Sequence, residues 1–178
     1  MPNNPVLADV VRHQLEERNH LSAIGRVAAA WSTFEAVVDT GCIRLAGLAA
    51  ESGVCLTSQI AGIIRKLDAY VALARLRTLP DELVKTLNKF HEKARGVGEK
   101  RNRLVHDVWY FNQHGPPERL EATAKRLLRL EYIPTKIEEV MNVALEINNL
   151  TGEFEVLNQA VETWPLPSPE KETLDYSP

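Results

Sequence analysis

Residues 101–106, Arg-Asn-Arg-Leu-Val-His, combine side chains that could act on a phosphate group. An arginine keeps its positive charge at physiological pH and can hold a phosphate through two hydrogen bonds. A histidine can give or take a proton near neutral pH. Arg101 and His106 are therefore the candidate catalytic residues, and Asn102 could orient a phosphate or a ribose.

The position of Arg101 along the chain is unusual. Apolar or small residues recur every three or four positions from Leu83 to Val108, which is typical of one face of an amphipathic helix. Arg101 falls in this apolar stripe, where an unpaired guanidinium is costly. Glu35 interrupts a similar stripe in an earlier helix, so we expect the two side chains to form an ion pair. Such a pair could be structural, or it could aim the guanidinium at a ligand.

Helix geometry separates the two candidate residues. Five positions along an ideal helix rotate a side chain by about 140° beyond one full turn, so Arg101 and His106 do not share a face. A distorted turn, or a dimer cleft that meets both residues, would bring them together. Arg103 lies nearer the face of His106 and could be a second phosphate ligand. Lys100 and Arg95 belong to a basic run that could bind substrate phosphates or simply form a solvated helix face.

RNRLVH resembles the Arg-polar-x3-His motif of HEPN-domain proteins, and AWSTFE at residues 30–35 is similar to the Trp-and-Glu part of an early helix in bacterial HEPN-like proteins. The resemblance implies a helical bundle. It also implies a metal-independent endoribonuclease that cleaves single-stranded RNA to a 2′,3′-cyclic phosphate, in a toxin or phage-defence setting. Many members act as homodimers, so we expect the two motifs to lie near a two-fold axis.

Some features leave other functions open. HEPN toxins that pair with small nucleotidyltransferase antitoxins usually carry His-x-Tyr, whereas here Asp107 and Val108 follow His106, which weighs against that antitoxin. Another protein partner remains open. The alternatives are a non-catalytic HEPN-like helical dimer that binds a protein or nucleotide, and a plain helical dimerisation module. No cofactor and no metal are expected, because no P-loop, HExxH or other metal-ligand spacing occurs.

Composition is that of an ordinary globular protein. The chain has 178 residues, of which 44% are hydrophobic and 25% charged, with a net charge of −3. This acidity argues against a general nucleic-acid binder but allows a local cationic patch. Cys42 and Cys55 lack the spacing of a zinc site or a disulfide framework, so we expect buried free thiols. No secretory signal or membrane span is recognisable, which predicts a cytoplasmic protein.

The periodicity predicts an all-α fold, an antiparallel bundle of four main helices plus a short N-terminal helix. Residues 1–163 form the bundle and residues 164–178 a disordered tail. Strands are expected only between 119 and 133, as an irregular hairpin, with a small helix as the alternative. Gly96 and Gly98 should bend or fray the fourth helix. The expected helices are a short one from Pro5 to about Asn19, a long one from about Leu21 to Ala50 ended by Gly53, a third capped by Thr57 or Ser58, a fourth from Pro80 toward Trp109, and a last one capped by Thr135 and running to about Glu162.

Overall fold

The structure, a computed structural model, describes residues 5–112, 115–124 and 127–165. Most of the predicted tail, residues 166–178, lies outside the described residues. The described chain is mostly helical, with a small antiparallel sheet. In order, the elements are α1 (Pro5–Leu45), α2 (Ala50–Thr57), α3 (Ile63–Arg75), α4 (Asp81–His106), β1 (Val108–Tyr110), β2 (Glu118–Thr123), β3 (Arg129–Pro134) and α5 (Ile137–Glu162).

Helix α1 is one continuous element of 41 residues, so the predicted break near Asn19 is wrong. No proline or glycine follows Pro5 until Gly25, and a lone asparagine costs too little to end a helix. The helix ends at Leu45 and is terminated by Gly47, not by Gly53. Gly47 has a φ of +64°, its N–H donates to the Arg44 carbonyl, and the next N–H donates to Ile43. This pair of bonds is a Schellman motif, which favours glycine at the left-handed position.

Helix α4 runs without interruption through Gly96 and Gly98, so the predicted bend is absent. Gly98 is buried, and a Cβ placed on it would lie 3.0 Å from Cη2 of Trp31. Nothing lies within 4 Å of the corresponding point on Gly96. One glycine therefore allows a close approach of α4 to a tryptophan ring, and the other is simply exposed.

The sheet contains one strand more than the sequence predicted. The hairpin of β2 and β3 is confirmed, with Leu120 paired to Tyr132 and Ala122 to Leu130. The prediction that strands occur only at 119–133 is wrong, because β1 pairs antiparallel with β2. Residues 108–111, Val-Trp-Tyr-Phe, are β-branched or aromatic and favour a strand over more helix.

Side-chain contacts fix the start of the sheet against the end of α4. The indole Nε1 of Trp109 donates to the Leu104 carbonyl at 2.9 Å, which satisfies one of the last carbonyls of the helix. His20 is buried here, with its ring 6.3 Å from that of Trp109 and 6.2 Å from that of Phe111. The chain therefore leaves the helix at His106 in a defined direction.

The chain divides into two compact units, each described here by itself. The first unit comprises Met1–Ala36 and Lys93–Gly152, and every candidate catalytic residue belongs to it. Its core is apolar, and a group of ion pairs lies where α4 meets the sheet. The buried core side chains of this unit are Ala23, Val27, Trp31, Phe34, Ala94, Val97, Leu104, Val140, Val143, Ala144, Ile147 and Leu150.

The second unit comprises Val37–Glu92 and Glu153–Pro178. The Tyr70 hydroxyl donates to Asn158 at 2.9 Å, and its ring stands edge-on to Phe154. Cys42 is buried, and burial together with the Asp39 charge raises the pKa of its thiol to about 11. Cys55 is exposed on the short α2, so the prediction that it is buried is wrong. No helix in the described ranges carries an apolar stretch long enough to span a bilayer.

Candidate functional site

Arg101 and His106 touch each other within one chain. Nη1 of Arg101 lies 3.1 Å from Nε2 of His106, the last residue of α4. A guanidinium can only donate, so Nε2 accepts and the imidazole carries its proton on Nδ1 in this contact. The long arginine side chain spans the separation around the helix that an ideal geometry imposes. The contact therefore needs neither a distorted helix nor a second copy of the chain.

Asn102 completes the constellation that the sequence predicted. Its Oδ1 accepts a second hydrogen bond from Arg101 Nη1, also at 3.1 Å. Both hydrogens of this nitrogen are thus used, one by the amide and one by the imidazole. Asn102 and His106 are exposed and Arg101 is half-buried, so the three polar ends meet at the surface beside the end of the helix.

The aromatic face of Trp31 supports the guanidinium. Cζ of Arg101 lies 5.7 Å from the centre of the Trp31 ring, within the range of a cation–π contact worth about 0.5–2 kcal/mol. Trp31 is itself buried, standing edge-on to Phe34 and against Gly98. The sequence marked this tryptophan only as part of AWSTFE, the segment similar to bacterial HEPN-like proteins, and assigned it no role at the site.

Glu35 does not form the predicted ion pair with Arg101 among the described residues. The Nε of Arg101 is buried and has no hydrogen-bond partner, whereas a carboxylate in bidentate contact would have satisfied it. The guanidinium instead lies over the Trp31 ring, and Glu35 is half-buried on α1. Leaving such a donor unpaired costs about 1–3 kcal/mol. A buried polar group without a hydrogen-bond partner calls for an explanation, and one explanation is a functional role.

Arg103 is committed to a different cluster. Its Nη2 lies 3.1 Å from Glu121 Oε1, and its Nη1 lies 4.0 Å from Asp107. Arg119 bridges the same two carboxylates, at 2.7 Å from Asp107 Oδ2 and 3.3 Å from Glu121 Oε2. Two guanidiniums and two carboxylates therefore neutralise one another beside the site. Arg103 could act as a second phosphate ligand only by leaving these partners.

The two predicted substrate-binding residues lie further back along α4. Lys100 contacts both carboxylate oxygens of Glu146 at 2.8 Å. Arg95 is exposed on the same helix. Of the cations Lys100, Arg101 and Arg103, Arg101 is the one without a carboxylate partner in the described part of the chain. The guanidinium beside His106 is thus the group whose charge remains available to an anion.

A cleft of about 460 Å³ lies between α4, α5 and the sheet in the first unit. Arg103 and Arg119 belong to its wall, but Arg101 and His106 do not. Its lining mixes charged groups of both signs with an apolar floor. The lining residues are Gly96, Glu99, Lys100, Arg103, Leu104, Arg119, Thr135, Glu139 and Val143.

In the described ranges, no three His, Cys, Asp or Glu side chains come together in a group that could hold a metal ion. The chain matches no protein-family model, no curated protein and no solved structure. The likeness to HEPN-domain proteins therefore rests on the segments RNRLVH and AWSTFE alone. It enters below as part of a proposal.

Proposed function

We propose that the chain is a HEPN-like endoribonuclease that cleaves single-stranded RNA without a metal ion, with Arg101, Asn102 and His106 as its reacting group. The observation that carries the proposal is the exposed Arg101–His106 contact of 3.1 Å. It joins a fixed positive charge to a proton-transferring group in one chain. These are the two components that phosphodiester transfer needs when no metal supplies them.

The contact also suggests how the site would become active. A phosphate is a charged acceptor and binds a guanidinium more strongly than a neutral imidazole does. An incoming phosphodiester would therefore draw Arg101 away from His106 and leave Nε2 free. Nε2 could then take the proton of the ribose 2′-hydroxyl, while Asn102 keeps the guanidinium in place.

The proposed reaction balances without a co-reactant. The 2′-oxygen bonds to phosphorus as the bond to the 5′-oxygen breaks, which leaves a 2′,3′-cyclic phosphate and a 5′-hydroxyl. The leaving oxygen takes a proton from solvent, and His106 returns its own proton to solvent afterwards. Arg101 stabilises the charge that builds up on the phosphate, because a charge-assisted contact is strong at a partly desolvated site.

The ion pairs around the site favour a second function. Lys100, Arg103 and Arg119 each contact a carboxylate, so the surface around Arg101 offers little extra attraction to an RNA backbone. A non-catalytic HEPN-like helical dimer that binds a protein or nucleotide would not need a cationic surface for an RNA backbone. The homodimer and the toxin or phage-defence setting are proposed on the family resemblance alone. The intramolecular contact of Arg101 and His106 removes the geometric argument for a dimer.

The decisive assay is cleavage of single-stranded RNA in EDTA by wild type, His106→Ala and His13→Ala. His13 lies on the first part of α1, outside the site, and serves as the matched histidine control. We expect products with 2′,3′-cyclic phosphate ends, a loss on the order of 10²-fold or more for His106→Ala, and no change for His13→Ala. Absence of any cleavage by the folded wild type would favour the non-catalytic function.

A further inference from the structure

The cleft between α4, α5 and the sheet contains a guanidinium edge that no protein group uses. Arg119 lines this cleft, and its Nη1 bridges Asp107 Oδ2 at 2.7 Å and Glu121 Oε2 at 3.3 Å. Nε and Nη2 of Arg119 make no hydrogen bond in the described ranges, and neither is among the buried unpaired atoms there, so both reach solvent. These two nitrogens form the edge through which a guanidinium holds both oxygens of a carboxylate. Two carboxylates thus fix Arg119 in place and leave this edge open.

Two further carboxylates line the same cleft from its two helices. Glu99 belongs to α4, and Glu139 belongs to the first turn of α5. Both are exposed, and among the described residues neither contacts a cation or a hydrogen-bond donor. An ionised carboxylate can only accept hydrogen bonds, so its strongest counterpart is an ammonium or a guanidinium. The cleft therefore offers sites for positive groups as well as for one carboxylate.

The balance of charges in the cleft favours a ligand that is more positive than negative. Each cation of the wall already contacts a carboxylate. The three cations are Lys100, Arg103 and Arg119, and their partners are Glu146, Glu121 and Asp107. In the described part of the chain, Glu99 and Glu139 therefore leave two negative charges uncompensated. A free phosphate or a nucleotide would meet repulsion from these charges, whereas a ligand with an excess of positive charge would compensate them.

The floor of the cleft suits an aliphatic chain. Leu104 and Val143 are buried side chains that line the cleft. Gly96 lines it as well, and a Cβ added there would have no neighbour within 4 Å. The volume of about 460 Å³ lies within the range of about 300–1,000 Å³ for small-molecule sites. In such sites the apolar surface supplies affinity and a few charged groups fix the orientation of the ligand.

We propose that this cleft binds a free basic α-amino acid, such as lysine or arginine. The carboxylate of the ligand would accept hydrogen bonds from Nε and Nη2 of Arg119. Its two cationic groups would contact Glu99 and Glu139, and its aliphatic chain would lie on the apolar floor. One negative and two positive charges on one short chain match the open groups that β2, α4 and α5 present. The proposal goes beyond the reaction at Arg101 and His106 and does not depend on it.

Isothermal titration calorimetry of the whole chain at low ionic strength tests the proposal, with L-lysine as the probe. Two analogues each remove one charge of the probe. Norleucine lacks the cation of the side chain, and cadaverine keeps both ammonium groups but lacks the carboxylate. We expect a Kd for lysine below about 1 mM. Norleucine and cadaverine should each bind at least about 10-fold more weakly, because each loses a charge-assisted contact.

Two variants of the cleft and one matched control locate the site. Glu139→Gln removes one charge without changing the size of the side chain, and should weaken lysine binding about 10-fold. Gly96→Leu fills the cleft from a position with open space and good helix propensity, and should also weaken binding at least about 10-fold. Glu138→Gln is the control, since Glu138 is an exposed neighbour on α5 outside the lining. It should bind lysine as wild type does.

Circular dichroism establishes that each variant keeps its helix content, and two cleft substitutions guard against one that fails to fold. No heat of binding with lysine or arginine at about 10 mM would overturn the proposal. Cadaverine that binds as tightly as lysine would also overturn it, because Arg119 would then have no part in binding. So would undiminished binding by both folded cleft variants, or an equal loss in Glu138→Gln, since the site would then lie elsewhere.

Discussion

The packing of Trp31 beneath Arg101 depends on the absence of a side chain at Gly98. A methyl group at this position would lie 3.0 Å from Cη2 and 3.5 Å from Cζ2 of the indole. The ring is buried edge-on against Phe34, so it has little room to withdraw. Gly98→Ala should therefore disturb both the core of the first unit and the surface on which the guanidinium lies.

The size of the effect follows from two opposing terms. Replacing glycine by alanine inside a helix stabilises it by about 1 kcal/mol. Gly96→Ala should gain this amount, because nothing lies within 4 Å of its new methyl group. Forcing an extra methyl into a packed core costs about 1–3 kcal/mol. The unfolding free energy of Gly98→Ala should therefore be lower than that of Gly96→Ala by about 1–3 kcal/mol.

Urea unfolding followed by circular dichroism measures this difference directly, with Gly96→Ala as the control on the same helix. The slope of free energy against urea should stay constant across the three proteins, so that midpoints report stability alone. If Gly98→Ala proves as stable as Gly96→Ala, the ring does not pack against α4 as described. The support of Arg101 by Trp31 would then lose its structural basis.

Two further predictions concern other residues of the two units. Glu35→Ala should change the unfolding free energy by less than about 0.5 kcal/mol, whereas Trp31→Ala should cost about 3–5 kcal/mol. If urea unfolding showed a large loss of unfolding free energy in Glu35→Ala, the result would indicate that Glu35 does pair with Arg101. Burial raises the pKa of the Cys42 thiol from 9.0 to about 11, so the unfolded chain ionises before the folded one. The stability of the fold is therefore unaffected by this group below pH 9 and falls as the pH rises toward 11. Between these pH values wild type should lose about 2–3 kcal/mol of stability relative to Cys42→Ala, and parallel pH profiles would contradict the burial of the thiol.

The helical part of the fold was largely predictable, because apolar periodicity reports which face of each helix is buried. The stripe through Phe90, Ala94, Val97 and Leu104 is buried in α4 as expected. The end of α1 was not predictable in the same way. Gly47 and Gly53 are both plausible terminators in the sequence, and only the backbone shows that Gly47 takes the left-handed conformation.

The sheet shows a different limit of the sequence. Val108 continues the helical stripe of α4, so periodicity alone extends the helix past His106. What ends it is tertiary, since Trp109 caps Leu104 and Arg119 reaches back to Asp107 from β2. The exposed Val108, Leu130 and Tyr132 of the sheet also escape a periodicity argument, which assumes that apolar residues point to the core of the same chain.

The sequence indicated the polar residues of the candidate site, but not the residue that packs against Arg101. Residue types, the place of Arg101 in an apolar stripe and the resemblance to the HEPN motif identified Arg101, Asn102 and His106, and the structure brings their polar atoms together. Choosing Glu35 as the partner of Arg101 followed the rule that a half-buried charge needs an opposite charge. The structure uses the face of Trp31 instead, because an aromatic ring can support a guanidinium without neutralising it.

The central claim is that Arg101 and His106 act as one catalytic unit, and rates of RNA cleavage in EDTA test it most directly. Arg101→Ala, His106→Ala and the double variant should be compared with wild type after equal folding has been checked by melting temperature. Residues that act together lose most activity at the first substitution, so the double variant should be no slower than the slower single one. Arg101→Lys should not restore full activity, because an ammonium cannot make the bidentate contact. A folded His106→Ala protein that cleaves RNA at the wild-type rate would contradict the claim.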